Sequence, residues 1–85
     1  MRIELFQSWL KSEMGLQKKS AGDVVSRINR VKKITELNLE NSYEDIIAQL
    51  DNNEEFKKLS VFVQPQIKRA ISLYQKFWQE QVENR

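Results

Sequence analysis

Apolar residues recur at intervals of three and four along most of this chain, the period of a helix with one buried face. Ile3, Phe6, Trp9 and Leu10 follow that spacing and predict a first helix over about 3–14. Gly15 is placed to close it in a left-handed conformation, with Leu16 folding back as the accompanying hydrophobic contact. Ala21, Val24, Val25, Ile28, Val31 and Thr35 mark the inner face of a second helix. Its predicted start is Ser20, as a hydroxyl cap with Asp23 as a short-armed partner, and its predicted stop is Asn38. Ser42 with Asp45 repeats the start signal for a third helix through Leu50, whose apolar positions are Tyr43, Ile46, Ile47 and Leu50.

DNNEE then reads as a turn into a short helical piece at about 54–59, and residues 60–64 as a connector. Pro65 suits the first turn of a last helix, where its missing N–H costs nothing. That helix is predicted to run to about Val82, with Ile67, Ala70, Ile71, Tyr74, Phe77, Trp78 and Val82 on one face. Val61, Phe62 and Val63 have strand-like composition, but no second strand exists to pair with them. The expectation is all-α: a single compact bundle of four to five helices over residues 1–85, packed around Trp9, Ile28, Tyr74 and Phe77. Its polar tail, about 80–85, frays or begins a linker.

Composition narrows the chemistry. With no cysteine and no histidine, the chain lacks disulfides, thiolate nucleophiles, the commonest zinc ligand and the side chain best suited to proton transfer near neutral pH. Two glycines cannot make a phosphate-cradling loop. The segment SYEDIIAQLDNNEE lacks the alternating ligands and central glycine of a calcium loop. Ser20 has no base to activate it as a nucleophile. The reading is therefore a protein that is not an enzyme, with no cofactor, no metal and no small-molecule substrate. No apolar run reaches the roughly 18 residues of a membrane span. The N-terminus interleaves charges with apolar residues, unlike a signal peptide, so a cytoplasmic location is expected.

Charge changes the picture most. Net charge is only +2, yet residues 15–35 carry six basic groups and one acid. Residues 36–56 carry seven acids and no base, and residues 57–76 carry five bases and no acid. Lys18, Lys19, Arg27, Arg30 and Lys33 belong to the first basic block, and Lys68, Arg69 and Lys76 to the second. If the two helices are neighbours, these positions merge into a patch that binds a nucleic-acid backbone by counterion release. The competing reading is ordinary solvation of exposed helix faces. No base-reading signature is visible, so any such binding starts as non-specific. A second function class uses the acidic segment from 36 to 55, with Glu44 and Asp45 as a protein-binding face and a partly exposed Trp78 as an anchor.

The order of elements adds a resemblance. FQSWL, then GLQKKSAGDVVSRINRV, then IKRAISLYQKFW is similar to the N-terminal helical domain of tyrosine recombinases and phage integrases, the SAM-like or core-binding domain. The shared features are an aromatic-rich first helix, a short loop ending in a Ser or Thr cap, and a closing helix with an aromatic pair. Where that family often has Tyr four residues after the cap, this chain has Val24. Recombinase chemistry also needs a separate domain with Arg, His and a nucleophilic Tyr, for which this chain has neither the histidine nor the room. The resemblance implies a module of a phage or mobile element that grips double-stranded DNA without the chemistry of DNA recombination. That role maps onto Lys18, Lys19, Arg27, Arg30, Lys33, Lys68, Arg69 and Lys76. The alternative is a phage or bacterial accessory module, an adaptor or inhibitor, that binds a protein partner.

Overall fold

The computed structural model describes residues 3–34 and 41–83. It is all-α, with five helices and no strand among the described residues: α1 (Ile3–Ser12), α2 (Lys18–Ile34), α3 (Tyr43–Asp51), α4 (Glu54–Lys57) and α5 (Val63–Glu83). The long helix α5 packs against α1, α2 and α3. Thr35, Asn38, Glu36 and Glu40, to which the periodicity and charge pattern assign roles, lie outside the described residues, as does the side chain of Val82.

Most of the predicted stripe positions face inward, but Tyr43, predicted on the apolar face of α3, begins that helix and is 42% exposed. Phe6, Trp9 and Leu10 of α1 are buried, as are Ala21, Val24, Val25, Ile28 and Val31 of α2. On α5 the buried positions are Ile67, Ala70, Ile71, Tyr74 and Phe77, joined by Leu73, which widens the stripe. Four rings make the junction of α1 with α5. Phe6 meets Tyr74 edge-on at 5.2 Å between centroids and Phe77 at 5.4 Å, and Trp9 meets Phe77 at 5.8 Å. Such pairs contribute about 0.5–1.5 kcal/mol each beyond the area they bury. Trp9 also carries a cost, since its indole Nε1–H is buried with no acceptor among the described residues.

The helix ends are set by identifiable groups. Gly15 has φ 67, and Leu16 turns back so that its N–H donates to the Leu10 carbonyl at 3.0 Å. One carbonyl left open by the end of α1 is thereby satisfied, and Leu16 packs against the core. Helix α2 starts two residues before the predicted Ser20. The Ala21 N–H already donates to the Gln17 carbonyl at 2.9 Å, so Ser20 lies inside the first turn and is not the cap. Lys18 and Lys19 are good helix formers, and nothing in their chemistry stops the helix from reaching back over them.

Ser42 does cap α3, its hydroxyl accepting from the Asp45 N–H at 3.3 Å. Asn53 caps α4 by accepting from the Phe56 N–H at 2.9 Å. The N-terminal approach to α5 is closed by Ser60, whose carbonyl accepts from the N–H groups of Val63 and Gln64, both at 3.1 Å. Pro65 then sits in the first turn, where no amide is required. Among the described residues, no helix is long and apolar enough to cross a membrane.

Candidate nucleic-acid interface

Helices α2 and α5, which carry the two basic segments, pack directly against each other. Between them runs an open groove of about 330 Å³. Val24, Ala70 and Leu73 give it an apolar floor, and Arg27 from α2 faces Arg69 from α5 across it. Ser20, Asp23 and Gln66 complete its polar walls. Segments separated by some forty residues of sequence thus share one surface feature.

Helical spacing places the other basic residues relative to that groove. Lys19, Arg30 and Lys33 stand eleven and then three positions apart, which aligns them in one stripe on the outward side of α2. All three are exposed, and Arg27 borders the stripe on its groove side. On α5, Lys76 follows Arg69 by seven residues and so continues its row. Lys19, Arg27, Arg30, Lys33, Arg69 and Lys76 therefore form the candidate surface.

The remaining two lie elsewhere. Lys18, nine residues before Arg27, is half a turn away from it around α2. Lys68 is adjacent to Arg69 in sequence and is therefore rotated by roughly 100° on the helix. Its Nζ lies 3.2 Å from Asp51 Oδ1 and 5.9 Å over the ring of Phe56, on the flank of α5 that faces α3 and α4. Lys68 thus sits with the acidic segment and not with the groove.

Lys68 is the one member of the eight that an ion pair among the described residues ties to the acidic segment. Among the described residues, the other ion pairs join Lys57 to Glu54 and Lys58 to Glu55, both within α4 and its end. None involves the six residues of the candidate surface. Asp23 is the acid closest to them by position, as it lines the same groove, yet it forms no ion pair with Arg27 or Arg69. The arginines keep their donor forks available for an external anion. Glu44 and Asp45 are exposed in the first turn of α3, where the helix dipole favours acids. Trp78 is partly buried and packs against the core.

Two features of the surface have weak signals in the sequence. The pairing of Arg27 with Arg69 follows from α2 and α5 being neighbours, which periodicity alone does not give. Val61 and Phe62 are far more exposed than any other large apolar side chains described, at 75% and 78%. Their run of three apolar residues has strand-like composition, whereas Val61 and Phe62 lie in the turn before α5, which opens with the bonds to the Ser60 carbonyl. Comparison with protein-family models, curated proteins and solved structures gave no match to this chain.

Proposed function

We propose that this chain is a non-catalytic cytoplasmic module that binds double-stranded DNA through backbone phosphates, using the surface formed by α2 and α5. The observation that carries the reading is the placement of Arg27 and Arg69 across one groove with no ion-pair partner among the described residues, flanked by exposed Lys19, Arg30, Lys33 and Lys76. Cations so grouped neutralise neighbouring phosphates and release counterions, which supplies sequence-independent affinity. The likeness of element order to the SAM-like domain of tyrosine recombinases supports the same reading, and with it an origin in a phage or mobile element.

Titration of a labelled duplex at several salt concentrations tests it. Binding is expected at low salt and is expected to fall steeply as salt rises. Absence of binding at low salt, or affinity indifferent to salt, would remove phosphate contacts as its source. Reversing Arg27→Glu together with Arg30→Glu is expected to abolish binding while the far-ultraviolet dichroism of the helices is unchanged.

One observation favours a second reading, a protein-interaction module. Glu44 and Asp45 are exposed and form no ion pair among the described residues, and the neighbouring Tyr43 leaves 42% of its surface open. Glu44→Lys with Asp45→Lys separates the two. Duplex binding that survives this reversal favours the basic surface, whereas loss of capture of a basic protein partner favours the acidic one.

A further inference from the structure

The exposed turn before α5 extends the groove surface. The Gln64 N–H donates to the Ser60 carbonyl at 3.1 Å, a bond of helical span, so the helical spacing of α5 reaches back through Phe62. Gln66, Arg69 and Leu73 all line the groove. Phe62 stands four, seven and eleven residues before them, the repeat that keeps side chains on one helix face. The row along the groove flank of α5 is therefore Phe62, Gln66, Arg69, Leu73 and then Lys76. An aromatic ring left 78% exposed heads a row that continues into Arg69 and Lys76, which have no ion-pair partner among the described residues.

We propose that Phe62 is a base-stacking residue, so that the module prefers DNA with an unpaired or readily unstacked base over a fully paired duplex. The inference rests on the phosphate-binding reading above. In that geometry, the Arg27–Arg69 groove holds the backbone while the ring at the end of the same row meets the face of a nucleobase. Aromatic faces accept any base, so the contact adds affinity without base-edge specificity. An apolar wedge of this kind also enters a duplex only at the cost of unstacking it, and a base already unpaired removes that cost. The cations of the same row, Arg69 and Lys76, select this occupant over an apolar protein surface, which gains nothing from them.

The test compares a fully paired duplex with the same duplex carrying a short single-stranded gap. Wild-type protein is expected to bind the gapped form more tightly, with a ratio of affinities that changes little with salt. Phe62→Ala is expected to weaken gapped binding about tenfold and to leave paired binding and its salt slope unchanged. Phe62→Tyr is expected to keep the preference. A 2-aminopurine base in the gap is expected to lose fluorescence on binding wild type and to lose much less with Phe62→Ala. At so exposed a position, the substitution is not expected to disturb the fold, which thermal unfolding checks. If neither DNA binds wild-type protein, the phosphate reading and this inference fall together. If both DNAs bind equally and Phe62→Ala changes neither, stacking is overturned, the phosphate reading stands and Phe62 belongs to a protein contact instead.

Discussion

Lys68 and Arg69 are neighbours in the chain with opposite assignments in the fold, because one step along a helix turns a side chain by roughly 100°. Lys68 reaches Asp51 and the face of Phe56, while Arg69 borders the groove with Arg27. Their substitutions therefore have different signatures. Arg69→Ala is expected to reduce the slope of log affinity against log salt by about 1. Lys68→Ala is expected to leave that slope near its wild-type value, and the partly exposed pair it breaks contributes at most about 1 kcal/mol to stability. Fluorescence anisotropy with labelled duplex over a salt series reads both. Phe56, beneath Lys68, is the opposite case. It lies in a segment dominated by charge, DNNEEFKKLS, but its ring is fully buried. Phe56→Ala is expected to cost about 3–5 kcal/mol, a large share of the roughly 5–15 kcal/mol that holds a domain folded. Urea unfolding measures it, and a loss below about 1 kcal/mol would show that α4 is not part of the core.

At the scale of the element, the caps make the sharpest contrasts. Ser42→Ala removes the hydroxyl that accepts from Asp45 and is expected to cost about 1 kcal/mol. Ser20→Ala is expected to cost nothing and to gain a few tenths, since Ser20 is exposed inside α2 and alanine is the better helix former. Thermal unfolding of the two variants distinguishes a helix that begins at Lys18 from one that begins at Ser20. The two glycines divide in the same way. Gly15→Ala places a side chain at φ 67, in open space, and is expected to cost about 1 kcal/mol through backbone strain alone. Gly22 lies inside α2, where a new Cβ meets only Gln7 Nε2 at 3.9 Å. Gly22→Ala is expected to stabilise by about 0.5–1 kcal/mol. These contrasts also show what was legible in the chain. A buried stripe needs only its period, so Phe6, Ile28, Ile46 and Phe77 are found from spacing. A cap needs the first hydrogen bond, which the Gln17 carbonyl accepts, and Ser20 carries the right hydroxyl three residues too late. Tyr43 has the spacing of a core residue, yet it begins α3 and remains 42% exposed.

Over the whole molecule, net charge is a poor guide to binding, since +2 is what remains after a basic surface and an acidic segment nearly cancel. The sequence makes the blocks visible but not their flanks, because a run of bases on a helix points around most of its circumference. Folding selects among them. Packing α2 against α5 brings Arg27 to Arg69, while packing α3 against α5 gives Lys68 to Asp51. A surface assembled this way should show the salt response of its own cations and not of the net charge. With all six candidate cations engaged, the slope of log affinity against log salt is expected to approach about −5. A protein attracted only through a net charge of +2 would show a slope no steeper than about −2. Reversal of Glu44 and Asp45 to lysine makes the net charge +6 without touching the groove. Exposed charges more than about 8 Å apart are largely screened at physiological salt, so the doubly reversed variant should keep the wild-type slope if α2 and α5 alone hold the phosphates. A slope that steepens in proportion to the added lysines would mean that the duplex reaches α3 as well, and the binding surface would then have to be redrawn to include it.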